Sequence, residues 1–212
     1  MKIVVSILCV PSLDQGAPDH NVPQIPMRVL AVFLVISFFG SATPFVCAQT
    51  PSPAEYRIKA EYLANFAKFV EWPDDAFASG DGAFVIGVLG NFRFGVSLSE
   101  AVTGKTVRGR KIKIQILKPH DNLRECHILF VGGSDKKHLT EVLASLRGAS
   151  VLTVGESDEF LDAGGTISFR MVEERVRFEV NLNSAEKARL RMSSQLLAAA
   201  GSIRNDPRAP KS

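Results

Sequence analysis

Three short apolar segments constrain the fold of this chain more than any other feature. They are residues 83–89 (AFVIGVL), 127–131 (HILFV) and 150–154 (SVLTV), and segments with helical spacing lie between them. Strands that are buried on both faces are continuous apolar runs of this length. Helices that alternate with such strands cover both faces of a parallel sheet. The pattern therefore predicts an α/β domain.

The remaining periodic segments complete this prediction. Residues 111–117 (KIKIQIL) alternate between polar and apolar side chains, which is typical of a strand with one solvated face. Residues 166–171 and 175–182 predict a closing hairpin. Helices are predicted over residues 54–70, 95–102, 134–147 and about 185–203. The whole is a single domain with a mixed, largely parallel sheet of about six strands and helices on both faces.

The amino-terminal segment has the pattern of an export signal. Met27 and Arg28 precede eleven apolar residues, 29–39, and Val46-Cys47-Ala48 places small residues where a signal peptidase cleaves. Eleven residues are too few to span a bilayer core of about 30 Å. We therefore expect a periplasmic protein that begins at Gln49, with an uncleaved anchor or a lipid-modified Cys47 as alternatives.

These observations divide the chain into five parts. Residues 1–26 are an upstream extension if translation starts at Met27, and residues 27–48 are the signal peptide. A short leader, 49–53, precedes the folded domain over residues 54–204, and residues 205–212 are a flexible polar tail.

Charge and cysteine content exclude several classes of protein. The net charge of the whole chain is +3, too near balance for a nucleic-acid-binding protein, which usually carries a basic stripe. After cleavage only Cys126 remains, so no internal disulfide can form. A single thiol in an oxidising compartment is either buried or forms a disulfide with another chain. A homodimer is therefore one of the alternatives.

No pattern for catalysis, metal binding or cofactor binding is found. Thr103-Gly104-Lys105-Thr106 resembles the end of a phosphate-binding loop, but Ser99 stands where that loop requires glycine. The histidines and Cys126 have no metal-ligand spacing. No serine lies in a nucleophile elbow, and no carboxylate pair lies in an apolar setting. We therefore expect a protein that is not an enzyme and has no cofactor.

The late strand 175–182 (RVRFEVNL) carries the candidate binding residues. Arg175, Arg177 and Asn181 share one face, where arginines can hold a carboxylate or phosphate by paired hydrogen bonds. An ordinary solvated sheet face is the equal alternative. Phe66 and Trp72, at the end of the first helix, are aromatic candidates for the same contact, and they can equally belong to the core.

At this point the chain resembles the YfiR-like family of periplasmic proteins, over almost the whole predicted domain. The matching segments are Lys59-Ala60, 65–73 (NFAKFVEWP), 87–90 (GVLG), Gly104-Lys105, Gly109-Arg110, 126–130 (CHILF), 152–154 (LTV), 164–167 (GGTI), 175–181 (RVRFEVN) and 193–197 (SSQLL). Each segment is weak alone, but their order is specific.

The resemblance implies a non-catalytic periplasmic domain that binds the periplasmic portion of a membrane signalling protein. In the best-known member that protein is a diguanylate cyclase, which the domain inhibits, so that cyclic di-GMP signalling falls. A periplasmic sensor of a small-molecule ligand is the alternative, with its site at the carboxyl ends of the strands. A small hydrolase is the third candidate.

One position departs from the family pattern. The resemblance implies a cysteine at position 87, paired with the cysteine that corresponds to Cys126, and this chain has Gly87 there. We therefore expect no such disulfide and a buried, reduced Cys126.

Overall fold

The computed structural model describes residues 51–78, 82–133 and 138–205. The predicted extension, signal peptide and most of the tail lie outside these residues, as does Ser134, the expected start of one helix. None of the helices in these ranges combines the length and the hydrophobicity that a membrane span requires.

Five helices and ten strands are formed in these ranges. The helices are α1 (Pro53–Phe69), α2 (Phe92–Val102), α3 (Leu139–Ser145), α4 (Leu182–Lys187) and α5 (Ser194–Ala199). The strands are β1 (Val70–Glu71), β2 (Phe84–Leu89), β3 (Thr106–Val107), β4 (Arg110–Leu117), β5 (Ile128–Val131), β6 (Leu152–Gly155), β7 (Ile167–Val172), β8 (Arg175–Asn181), β9 (Arg191–Met192) and β10 (Ser202–Arg204).

Eight of the strands form one sheet in the order β10-β8-β7-β6-β5-β2-β4-β3, and β1 pairs with β9 separately. The neighbours β4, β2, β5, β6 and β7 run parallel, as do β8 and β10, whereas the β7–β8 and β3–β4 pairs are antiparallel. The predicted mixed, largely parallel sheet is confirmed, with eight strands rather than about six. The two additional strands, β3 and β10, are too short to produce a periodic pattern.

Two apolar clusters hold the sheet from opposite faces. On one face, α1, α2, α4 and α5 pack on side chains such as Ile86 and Phe130. On the other face, α3 and the segment around Phe160 pack on Val85 and Leu129. All six residues of β2 are buried because both faces of that strand are covered. The prediction of helices on both faces is confirmed.

The prediction of one closing helix over residues 185–203 is wrong. The chain leaves the helical conformation at Arg189, whose φ of +57° is left-handed, and β9 then pairs with β1. Ser193 accepts a hydrogen bond from the backbone N–H of Leu196 and starts α5. Apolar residues at helical spacing continue through this region, but tertiary pairing of β9 and β10 outweighs the local pattern.

The predicted turn between the last two long strands is formed by Glu173 and Glu174, whose φ angles are +48° and +58°. Two successive left-handed residues give the tight hairpin turn that matches the twist of the flanking strands. Because β7 runs parallel to β6, this turn lies at the carboxyl edge of the parallel strands.

Candidate functional site

The outer half of β8, next to its turn, presents two unpaired arginines. Arg175 and Arg177 are exposed, and neither forms an ion pair or a side-chain hydrogen bond with any residue that the structure describes. Val172 lies opposite Arg175 in the hairpin and is 50% exposed. We call Val172, Arg175 and Arg177 the arginine patch.

The inner half of the same face is occupied by an ion-pair network. A carboxylate oxygen of Glu179 lies 3.6 Å from the guanidinium of Arg170 and 3.5 Å from that of Arg204. Arg170 also pairs with Asp158, and Arg204 lies 2.8 Å from Asp162. This network ties β10 and β7 to β8, so these charges are committed to the fold.

Arg177 lies directly opposite Arg170 in the hairpin. Like charges in that position destabilise a sheet. Arg170 is engaged by two carboxylates, and Arg177 by none among the described residues. Among the described residues, no ion pair thus offsets the repulsion between Arg177 and Arg170.

Asn181 has a structural role in this structure. Its side chain is only 7% exposed; its oxygen accepts a hydrogen bond from the backbone N–H of Ser184 at 3.1 Å, and its amide donates to the carbonyl of Leu161. It caps α4 and fixes the end of β8. The structure does not bring Asn181 to the exposed surface with the two arginines.

Phe66 and Trp72 belong to the core, the second of the two interpretations left open by the sequence. They are 2% and 3% exposed. The Phe66 ring packs edge-on against Phe178, 5.0 Å between centroids, and Trp72 packs edge-on against Phe84 at 5.1 Å. Neither side chain can contact a partner without unfolding part of the domain.

A buried ion-pair cluster at the carboxyl edge was not found by sequence reasoning. The ammonium group of Lys59, on α1, lies 2.6 Å from carboxylate oxygens of both Glu55 and Glu156. The second oxygen of Glu156 accepts the backbone N–H of Gly133 at 2.8 Å. The four-residue spacing between Glu55 and Lys59 was the only local sequence signal for this cluster. Glu156 is 97 residues from Lys59, so no local pattern connects them.

This cluster lies at the carboxyl ends of β5 and β6, next to the crevice where open α/β sheets most often bind ligands. The chain passes from β4 to β5 across β2, so the strand order reverses between β2 and β5, and the crevice lies beyond their carboxyl ends. Burial lowers the pKa of Lys59, but Glu156 and then Glu55 outweigh burial, so its pKa is raised overall. A charged Lys59 thus joins α1 to the segment that follows β6.

Two cavities among the described residues lie elsewhere. One, of about 340 Å³, is bordered by Thr153, Thr166 and Asn181, and the other, of about 620 Å³, by Lys113, Cys126 and His127. Polar and apolar groups both contribute to the walls of each cavity. Among the described residues, no three histidine, cysteine or carboxylate side chains are arranged to hold a metal ion.

His127, in the wall of the larger cavity, is held neutral. Its ring stacks against the rings of Phe77 and Phe84, and its Nδ1 accepts the backbone N–H of Val85 at 3.0 Å. Burial and then Arg110 lower its pKa, against a smaller opposing effect of the Ala76 backbone. Protonation of His127 is less favourable in the folded state than in the unfolded state. The stability that the neutral ring contributes is therefore fully present above pH 6.5 and is lost as the pH falls below that value.

Cys126 is buried beside Gly87, as expected. A Cβ atom at position 87 would lie only 2.6 Å from the sulfur of Cys126, so glycine leaves the space that the thiol occupies. Burial and then Glu125 raise the pKa of the thiol to about 12, against an opposing hydrogen bond from Gly87. The thiolate, which is the reactive form, is therefore scarce at neutral pH.

We predict that a thiol reagent labels Cys126 at least about a hundredfold more slowly in the native protein than in denaturant, because both burial and the raised pKa suppress the thiolate. Stopped-flow labelling at pH 8 measures both rates. A Cys126→Ser variant is the control for non-specific reaction. Rapid labelling of the native protein would show that the thiol is accessible.

Comparisons with known proteins find one family and two partly similar solved structures. Residues 56–201 match the DUF4154 family, described as YfiR/HmsC-like. A conserved domain protein from Vibrio cholerae O1 biovar El Tor strain N16961 is 14% identical, with a TM-score of 0.44 over 57% of this chain and 54% of that chain. The ABC domain from Streptococcus pneumonia, in complex with L-Trp, is 10% identical, with a TM-score of 0.48 over 68% of this chain and 60% of that chain.

The chain thus spans little more than half the length of these two structures. Both TM-scores are below 0.5, so neither similarity identifies a shared function. No curated protein matches the chain significantly.

Proposed function

Because the chain belongs to the YfiR/HmsC-like family, we propose that it is a non-catalytic periplasmic regulator that binds and restrains a membrane diguanylate cyclase. The export signal over residues 27–48 delivers the domain to the compartment in which the periplasmic portion of such an enzyme lies. The cyclase produces less cyclic di-GMP while the domain is bound to it.

The arginine patch supports this proposal most directly. Arginine is enriched among the residues that dominate binding energy, and its planar guanidinium can hold a carboxylate through two parallel hydrogen bonds. Arg175 and Arg177 are exposed on a tight hairpin, next to the half-exposed Val172. An acidic segment of the cyclase, with an apolar side chain over Val172, is the complementary partner.

We predict that deletion of the gene raises cellular cyclic di-GMP and that Arg175→Ala with Arg177→Ala reproduces most of the rise. Loss of two hot-spot arginines, at about 2 kcal/mol each, weakens binding by roughly 30-fold per residue. Cyclic di-GMP is measured by mass spectrometry of cell extracts, and crosslinking in the periplasm measures capture of the cyclase.

The matched control is Arg147→Ala with Lys187→Ala, which removes two exposed charges elsewhere on the domain. This control is expected to keep cyclic di-GMP at the wild-type level. An unchanged level in the deletion strain, with no cyclase among the crosslinked proteins, would reject the proposal.

The larger cavity favours a second candidate, a sensor of a small-molecule ligand. Its volume of about 620 Å³ is within the range of ligand pockets, and charged side chains of both signs line it. A thermal-shift screen with amino acids and nucleotides distinguishes the two functions. A ligand that raises the melting temperature, and loses this effect in a variant of Lys113, would favour the sensor.

A further inference from the structure

The strongest local charge in the chain lies away from the arginine patch. Residues 101–120 contain six basic side chains and no acidic one, although the chain as a whole is close to charge balance. Four of them, Lys105, Arg108, Arg110 and Lys111, fall within seven consecutive residues. The proposed function does not use this concentration of charge.

The four residues lie on one tight hairpin. Thr106 pairs with Lys111 and Val107 with Arg110, and the two-residue turn is formed by Arg108 and Gly109, with φ angles of +49° and +76°. This hairpin joins β3 to β4 and is the outer edge of the eight-stranded sheet. We call Lys105, Arg108, Arg110 and Lys111 the basic tip.

Two of these side chains are held in place from beneath. The guanidinium carbons of Arg108 and Arg110 lie 5.7 and 4.7 Å from the centre of the Phe77 ring. Arg108 donates to the carbonyl of Trp72 at 3.4 Å, and Arg110 to the carbonyl of Gly82 at 3.0 Å. Each guanidinium has five N–H donors, so most remain available to an external anion.

No carboxylate neutralises the basic tip within the described residues. None of its four side chains is within ion-pair distance of an aspartate or glutamate there, and the nearby Asp75 pairs instead with Arg189 at 2.7 Å. Like charges that lie close together repel one another, so the four positive charges of the basic tip raise the free energy of the unbound protein. An external anionic surface removes that cost.

We propose that the basic tip binds the phosphate groups of an anionic lipid bilayer and so holds the domain at the membrane surface. The shape of the tip favours a planar surface, because it is a projecting turn rather than a groove with side-chain pockets. Addition of a peptide strand is disfavoured, because β3 has only two residues and offers a very short edge.

The expected strength follows from the number of charges. Each lysine or arginine near an anionic membrane strengthens binding by about fivefold, and the attraction decays within about 8 Å at physiological salt. Four charges together strengthen binding by several hundredfold. Removal of three of them is expected to weaken binding by roughly a hundredfold.

The test is co-sedimentation of the protein, purified from the periplasm, with lipid vesicles. Vesicles of phosphatidylcholine with phosphatidylglycerol are compared with vesicles of phosphatidylcholine alone, at low and at physiological salt. The test variant combines Lys105→Gln, Arg108→Gln and Lys111→Gln, and leaves Arg110 in place under the turn. The control variant removes three exposed charges elsewhere, by Lys68→Gln, Arg147→Gln and Lys187→Gln.

We expect the wild type and the control variant to bind the anionic vesicles, the test variant to lose about a hundredfold, and added salt to weaken binding. Equal thermal unfolding of all three proteins shows that the loss is not misfolding. Equal binding to neutral vesicles, or full binding by the test variant, would overturn the proposal.

Two further arms separate the sources of negative charge. If millimolar inorganic phosphate displaces the protein from the vesicles and chloride of equal ionic strength does not, the ligand of the basic tip is free phosphate and the membrane proposal is wrong. If the protein binds polyglutamate tightly and does not bind anionic vesicles, the ligand of the basic tip is an acidic polypeptide and the membrane proposal is wrong. Neither arm depends on a cyclase, so these results are independent of the proposed function.

Discussion

Replacement of Phe66 by alanine is expected to lower the free energy of unfolding by about 3–5 kcal/mol, the usual cost of deleting a buried aromatic ring. Phe66 is 2% exposed, and its ring contacts Phe178, Phe169 and Tyr62 at centroid distances of 5.0, 6.0 and 6.1 Å. The cavity lies where α1 meets β7 and β8, so these elements cannot close it without moving together. Urea unfolding followed by circular dichroism measures the loss.

Phe66→Leu is the matched control, because it keeps most of the buried apolar volume and is expected to cost much less than the alanine change. If Phe66 acts only through the core, cells with the leucine variant are expected to have the same cyclic di-GMP level as cells with the wild type in the test of the proposed function. A leucine variant of normal stability that fails to lower cyclic di-GMP would show that Phe66 contacts the partner directly.

Replacement of Lys59 by methionine is expected to cost about 3–5 kcal/mol, because it removes one partner of a buried ion-pair cluster and leaves the others uncompensated. The Lys59 side chain is 4% exposed, and those of Glu55 and Glu156 are 15% and 11% exposed. Methionine fills a similar volume, so the loss reports charge rather than a cavity. The measurement is again the free energy of unfolding in urea at pH 7.

Lys68→Met, on the exposed side of the same helix, is the control and is expected to change stability by less than about 0.5 kcal/mol. The double variant Lys59→Met with Glu156→Gln should recover much of the loss, since glutamine is neutral and still accepts the N–H of Gly133. A single variant as stable as the wild type would show that the cluster contributes nothing net.

The pH dependence gives a second readout of the same cluster. Because the pKa of Lys59 is raised above its ordinary value of 10.5, the stability contributed by its charge is present below that pH. It is lost as the pH rises further and the ammonium deprotonates. The wild type should therefore lose stability on this alkaline limb, and Lys59→Met should lack that component.

In our proposals, the two clusters of charge on this domain bind different partners. The arginine patch lies at the carboxyl edge of the parallel strands and provides the contact with the cyclase. The basic tip lies at the outer edge of the sheet and keeps the domain near the membrane in which that enzyme is embedded. Membrane attachment raises the local concentration of the domain near its partner without any additional protein contact.

The sequence by itself determined the class of the fold and the position of the arginine patch. Continuous apolar runs such as residues 84–89 predict strands buried on both faces, and this is local information, since a strand covered on both sides needs apolar residues throughout. Alternation along 175–181 likewise placed Arg175 and Arg177 on one face of β8. That Cys126 is buried also followed from its position before an apolar strand.

Tertiary structure alone decided the rest. The end of the chain has the spacing of one helix, but pairing of β9 with β1 and of β10 with β8 divides it, and such pairing leaves no periodic signal in two or three residues. Phe66 and Trp72 became core because α1 lies against the sheet, and Lys59 met Glu156 because two segments 97 residues apart converge at the carboxyl edge. Contacts between distant segments depend on how the elements pack, and no local pattern of residues encodes them.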